Sequence, residues 1–336
     1  MRIVIITEGG RDIGIGHLTR CLSLCQAFEE TGIVPEFIVN GDDVAENLLH
    51  GKKHTIFNWL KDEEKAYESA SGADVVIIDS YLADPDFYKN IARAAGKAVY
   101  LDDNKRLDYP AGIVVNGSVS AEELDYRRKE DVIYLLGSAY IPLRKDFRDV
   151  PPRNINDKIE SVMITFGGDD SRNMTQPALE LLSEKYPGMK KNVMIGSGFR
   201  AVKRIEGAAD RNTSLIRSPG AAEMKKVMLE SDIALSAAGQ TLYECAGTGL
   251  PAVVVAIAEN QLRNAQGWQR AGFIEYAGWW EDTQISKNII DGIEALKNKN
   301  SREQKSLIGQ RSVDGKGGLR VRDFLLKRVK NAVKQT

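Results

Sequence analysis

Cysteine and histidine are scarce, with three of each in 336 residues. The odd cysteine set, Cys21, Cys25 and Cys245, has no framework spacing. That excludes a disulfide-stapled scaffold and points to a reducing compartment. Cys21 and Cys25 fall inside a helical pattern. A metal site there needs two further ligands, and no Cys or His cluster supplies them, so both are read as small buried hydrophobes and no metal is expected. No apolar run approaches the ~18 residues of a membrane span. Met1 leads directly into a strand, without a basic leader or cleavage site, so the cytoplasm is the expected compartment. Charge of one sign is missing too: 46 basic residues face 47 acidic ones. That balance argues against nucleic acid as a partner. The one basic cluster, "LKRVKNAVKQT", reads as the solvated face of a last helix. Nothing calls for an assembly larger than a monomer, and no cofactor motif is present.

What the chain does have is alternation. Val- and Ile-rich runs ("RIVIIT", "PEFIVN", "ADVVIID", "KAVYLDD", "GIVVNG") are separated by helical patterns, as in βα units with a parallel sheet buried on both faces. The pattern restarts after a Pro-, Asn- and charge-rich stretch at 150–157, with "SVMITF", "NVMIG", "TSLIRS", "DIALSAA" and "PAVVVAI". The expectation is an α/β protein of two doubly wound, Rossmann-like domains, residues 1–150 and 157–336, the second carrying the C-terminal helices. In such sheets ligands sit beyond the carboxyl ends of the strands and, with two domains, in the cleft between them.

Motifs fall at those strand ends. "GIGHLTRCLSLCQAF" places Gly14 and Gly16 in a tight turn and His17 at the start of a helix whose apolar face is Leu18, Cys21, Leu22, Cys25 and Phe28. A helix N-terminus attracts anions. It also disfavours imidazolium, so a lowered pKa and a neutral His17, fit to take a proton from water, are expected. The plainer alternative is a capping histidine beside a generic turn. Thr19 occupies the place of a third glycine, which excludes the dinucleotide fingerprint. After the third run, Asp79 is placed to hold His17 or a hydroxyl, and Tyr81 to bond a sugar or orient a water; a turn cap is the alternative for Asp79. Asp102 to Asn104 suit a sugar hydroxyl, a metal or merely a turn. Gly167 and Gly168 in "FGGDD" permit close approach by a ligand, with Asp-Asp-Ser capping the next helix. In "SAAGQTLYECAGTGLPAVVV", Gly239, Gln240 and Thr241 open a helix toward a diphosphate, and Glu244 is placed for ribose hydroxyls. Glu259, Asn260 and Gln261 open another helix. "GWW", 278–280, is read as an element end or a partner contact.

These residues resemble a known group. "DIGIGHLTRCLSL", "IIDSY", "GSAYIPLRKDF", "FGGDD" and "SAAGQTLYECAGTGLPAVVVAIAENQ" are similar to the UDP-2,4-diacetamido-2,4,6-trideoxy-beta-L-altropyranose hydrolases of pseudaminic acid biosynthesis, and more distantly to family 28 glycosyltransferases. The resemblance implies a GT-B fold, UDP held by the C-terminal domain, and inverting water attack on a UDP-sugar at its anomeric carbon without a metal. It implies catalytic roles for His17, Tyr81 and Asn260. It also matches Glu244 to the group's glutamate on the short helix; with the readings above, substrate contacts are expected from Gly14, Gly16, Arg20, Asp79, Gly167, Gly168, Gly239, Gln240, Thr241, Glu244 and Gln261. The chain departs from the group's pattern at Ser80 and Gln240. A transferase of the same fold and a non-catalytic nucleotide-sugar-binding subunit are the other readings.

Overall fold

The computed structural model describes residues 1–11 and 13–333, the last four of them by backbone alone. Two compact units emerge: residues 1–145 together with the segment from Lys316 onward, and Asp146–Gly315.

In the first unit the order is β1 (Ile3–Gly9), α1 (Gly16–Glu29), β2 (Glu36–Gly41), α2 (Asp43–Leu48), β3 (Lys53–Ile56), α3 (Glu63–Ala70), β4 (Val75–Asp79), α4 (Pro85–Ala94), β5 (Ala98–Leu101), β6 (Gly112–Asn116) and β7 (Val132–Leu136). The seven strands form one sheet in the order β3-β2-β1-β4-β5-β6-β7, each pairing parallel with its neighbours. The order reverses between β1 and β4, so the crevice past their carboxyl ends is the unit's switch point. β1 and β4 are buried along their whole length, as their Val- and Ile-rich runs require.

The second unit continues with β8 (Ser161–Thr165), α5 (Thr175–Lys185), β9 (Lys190–Ile195), α6 (Val202–Ala208), β10 (Thr213–Arg217), α7 (Ala221–Glu230), β11 (Ile233–Ala237), α8 (Gln240–Thr248), β12 (Ala252–Ala256), α9 (Glu259–Ala271), β13 (Ile274–Trp279), α10 (Ile285–Leu296) and α11 (Lys299–Ser312). Its parallel sheet runs β10-β9-β8-β11-β12-β13, with the switch point between β8 and β11. All three cysteines are buried and free. No helix among the described residues is long and apolar enough to cross a membrane.

The last helix, α12 (Gly317–Val333), does not belong with the second half, where the sequence reading put it. Its Val321 and Leu325 are buried with Leu18, Cys21, Leu24, Cys25 and Phe28 of α1, so it completes the first unit's core. Arg322 adds a hydrogen bond to the Ala27 carbonyl at 3.0 Å. The stretch 150–157, which the sequence reading placed between the two domains, belongs to the second unit. Arg153 donates to the carbonyl of Met228 at 2.9 Å and to that of Ser231, satisfying helix-end acceptors of α7 and fixing the segment to the second unit. Burial of its guanidinium lowers its pKa to about 10.

Packing at the second switch point is tight. A Cβ on Gly196 would lie 2.2 Å from the Gly168 carbonyl oxygen, and Gly198 N donates to that same oxygen at 3.0 Å. Gly196→Ala should therefore displace the Gly167–Gly168 turn and destabilise the fold by about 1–3 kcal/mol. Urea denaturation measures this, and a wild-type midpoint would contradict the packing.

Candidate active site

At the first switch point the turn after β1 closes on itself. Gly10 and Gly14 exchange backbone hydrogen bonds of 3.0 and 2.8 Å, and Gly14 has φ +84°, a conformation costly for any residue with a Cβ. Asp42 anchors the turn by accepting from Arg11 N at 2.8 Å while capping α2. α1 then starts at Gly16 without a side-chain cap or an acidic residue in its first turn. His17 is its second residue.

The sequence reading expected the helix dipole to dominate His17, with a lowered pKa. The structure corrects this. Burial does push the imidazole's pKa down, but the Asp79 carboxylate reverses the effect through its charge and a hydrogen bond from Nδ1 of 2.6 Å. Arg20 opposes, Glu8 assists, and the net shift is upward from the ordinary 6.5. With Nδ1 committed to Asp79, the neutral ring carries its proton there and its lone pair on Nε2.

Asp79, at the end of β4, has a side chain 1% exposed. Of its three sequence readings, holding His17, holding a ligand hydroxyl or capping the turn, the structure shows the first. Arg20 grips it with two bonds, Nε to Oδ2 at 2.8 Å and Nη2 to Oδ1 at 2.6 Å. Burial alone would raise the pKa of Asp79; Arg20, then His17, hold it well below the carboxylate range. Arg20, expected at the substrate, is thus engaged with Asp79 and, at 3.2 Å, with Asp103. Tyr81 lies edge-on to the imidazole, ring centroids 4.4 Å apart at 85°. Its hydroxyl donates to Asp103 Oδ1 at 2.5 Å, and Asn104 bonds the same carboxylate at 3.1 Å. The adjacent carboxylates of "LDDN" therefore divide. Asp102 turns inward to the Tyr126 hydroxyl and the backbone of Asp103 and Asn104, whereas Asp103 joins the site. Sequence reasoning missed Glu8, whose signal was a lone carboxylate ending an otherwise apolar strand.

The second unit presents its candidates along the strand ends. Asp170 accepts from Met174 N at 2.8 Å and Thr175 N at 3.1 Å, the capping role expected of it, and burial raises its pKa to about 6. Gly167 is exposed, with φ +85°. α8 begins at Gln240 after Gly239, with no side-chain cap and no acid in its first turn; Thr241 follows, partly exposed. Gln261 is a brace: its Oε1 accepts from Ile257 N at 3.1 Å and Ala238 N at 3.3 Å, tying the turn after β12 to the turn after β11. Asn264, which the sequence reading passed over, reinforces it by donating to the Ala238 carbonyl at 2.7 Å. Asn260 is exposed in the first turn of α9, and Glu244 is 2% exposed. "GWW" ends β13, and Trp280 lies under the Arg172 guanidinium, 4.8 Å from its ring centre. Among the described residues no group of three or more His, Cys, Asp or Glu side chains is arranged to hold a metal.

No family model matches the chain. Among solved structures, MurG of Acinetobacter baumannii superposes with TM-score 0.67 at 15% identity, covering 97% of this chain and 100% of that one. UDP-GlcNAc 2-epimerase from Neisseria meningitidis gives 0.60 at 13%, covering 97% and 100%. The fold is GT-B: two parallel-sheet, Rossmann-like α/β domains. Three curated relatives are more similar in sequence. An uncharacterised protein of Methanocaldococcus jannaschii is 27% identical over 76% of this chain and 55% of its own length. The Helicobacter pylori protein named "Pseudaminic acid cytidylyltransferase and UDP-2,4-diacetamido-2,4,6-trideoxy-beta-L-altropyranose hydrolase" is 27% identical over 86% of this chain and 52% of its own. The spore coat polysaccharide biosynthesis protein SpsG of Bacillus subtilis is 22% identical over 97% and 98%. The chain thus spans about half the length of the first two.

Proposed function

We propose that this protein hydrolyses a UDP-sugar of the 2,4-diacetamido-2,4,6-trideoxyaltrose type to UDP and free sugar, in nonulosonic acid or surface polysaccharide biosynthesis. The observation that carries the reading is the His17–Asp79 pair. Nδ1 is held by a buried carboxylate, so Nε2 is left to take a proton from a water attacking C1. Arg20 keeps Asp79 ionised, so Asp79 stabilises the imidazolium that forms without taking its proton. UDP departs with little acid help, because a diphosphate is a good leaving group and the uncapped start of α8 suits its charge. One base then suffices, in contrast to the two carboxylates of ordinary glycosidases. In this reading Tyr81 and Asn260 position the water and sugar. Gly14 and Gly16 give the sugar room; Gly167, Gly168, Gly239, Gln240 and Thr241 hold the diphosphate. Glu244 serves the ribose, and the Gln261 brace supports the nucleotide turn. The activity in the name of the H. pylori relative supports the substrate class.

The test is UDP release from that UDP-sugar with no acceptor, in the presence of EDTA. Rapid release is expected; release only on adding an acceptor moves the assignment to a glycosyltransferase of the same fold. The raised His17 pKa sets the pH dependence. Only the neutral ring is a base, so kcat/KM should rise with pH along a limb centred above 6.5. The same shift works oppositely on the fold. A group whose pKa is raised by folding stabilises fully below its unfolded pKa and loses that contribution as pH rises through the folded one. A limb at or below 6.5 contradicts the Asp79 coupling.

A further inference from the structure

Two buried carboxyl groups sit near the ends of the paired strands β1 and β4, and they differ in one respect. Asp79, from β4, is locked in its charged form by the two bonds from Arg20. Glu8, from the end of β1, is 0% exposed and has no ion-pair partner among the described residues. Its Oε1 accepts from Tyr81 N at 2.6 Å and Leu82 N at 3.3 Å. Tyr81 is therefore pinned at its backbone by Glu8 and at its hydroxyl by Asp103, and between those points its ring meets His17. We propose that Glu8 is a positioning residue of this site, holding Tyr81 against the imidazole and acting as the adjustable carboxyl that sets the charge state of His17.

The inference rests on His17 being the working base. The groups around the imidazole are Asp79 of β4, Arg20 of its own helix, Tyr81 beyond β4 and Glu8 of β1. Around Glu8 are His17, Asp79, the Ser80 hydroxyl and the two N–H groups of the following turn. Burial raises the Glu8 carboxyl's pKa; Ser80, His17 and Tyr81 N–H favour its charged form, and Asp79 opposes it. Because Asp79 does not change charge near neutrality, the imidazole and Glu8 are the two groups whose protonation is linked. A charged Glu8 favours imidazolium, and a neutral one favours the free base.

Glu8→Gln keeps an oxygen acceptor for Tyr81 N while removing the charge. Titration of the His17 ring by NMR, identified among the three histidines by its loss in His17→Asn, should show the midpoint falling by about half a pH unit or more in Glu8→Gln. The ring contact with Tyr81 should persist, and the acid limb of turnover should move with the midpoint. An unchanged His17 midpoint overturns the proposal. Should Glu8→Gln not fold, the Glu8 carboxyl carbon is followed in wild type and His17→Asn. Its midpoint rises on losing His17 if the two are linked, and an unmoved midpoint again overturns the inference. Both titrations are read without turnover, so a protein that hydrolyses no UDP-sugar sinks the functional reading and leaves this one decidable.

Discussion

His17→Asn loses about 10²–10⁴-fold in kcat and keeps UDP affinity within about twofold of wild type. Asparagine offers its amide N–H to Asp79, so the pair's geometry is approximately retained, but no basic nitrogen remains where Nε2 stood. UDP affinity is spared because the diphosphate is assigned to the uncapped start of α8 and the glycine turns of the second unit, none of which contains His17. Single-turnover UDP release measures the first effect and calorimetric titration with UDP the second. Wild-type turnover in the variant would remove His17 as the base.

Asp79→Asn has the larger combined effect, because it acts on catalysis and folding together. The carboxylate, itself buried, accepts from His17, Arg20 twice and the Cys21 thiol at 3.6 Å. Neutralising it leaves the Arg20 guanidinium buried with Asp103 as its remaining anion, at 3.2 Å. Breaking a buried pair from one side costs about 3–5 kcal/mol. That loss should be seen at neutral pH and should vanish in strong acid, because a depressed carboxylate contributes only above its unfolded pKa and loses its contribution as pH falls through the folded one. Turnover falls as well, about 10²–10⁴-fold, since the imidazolium loses its counter-charge and the Nδ1 tautomer its enforcing acceptor. His17 then titrates lower, so the acid limb of the residual activity moves down in pH. Denaturation midpoints across pH and kcat/KM profiles of the variant read both effects. A variant as stable as wild type, with an unmoved limb, contradicts the ion-pair account.

The central strands could be read from the sequence because burial on both faces leaves Val- and Ile-rich runs such as "RIVIIT". The strands that escaped are all at or near a sheet edge. β3 alternates exposed and half-buried residues, β7 is only partly covered, and β13 mixes Glu275 and Tyr276 into its run. With one side unpaired, the pattern that marks a buried strand is absent. The placement of α12 was invisible for another reason: its partner is α1, some 290 residues earlier, and helical periodicity does not say which core a helix joins. At the site, His17, Asp79 and Tyr81 could be picked out because strand ends and helix starts are legible. Of their mutual arrangement, the Asp79–His17 contact was among the readings, whereas the edge-on Tyr81 ring and the Arg20 grip on Asp79 were not. The dipole argument gave the wrong sign for the His17 pKa, since a carboxylate 2.6 Å away outweighs partial charges at a helix end. Glu8 escaped because it stands as an isolated carboxylate just past the apolar run "RIVIIT", and Gln261 read as a ligand contact because its bonds to Ile257 and Ala238 are made through the fold.

The most direct test of water attack at C1 is the fate of the solvent oxygen. Turnover is run in ¹⁸O-enriched water on the UDP-sugar alone, and the released UDP is analysed by mass spectrometry. Cleavage of the sugar C1–O bond by a water deprotonated at His17 leaves the UDP unlabelled, and that is the predicted result. One ¹⁸O atom in the β-phosphate would place the attack at phosphorus and contradict the mechanism.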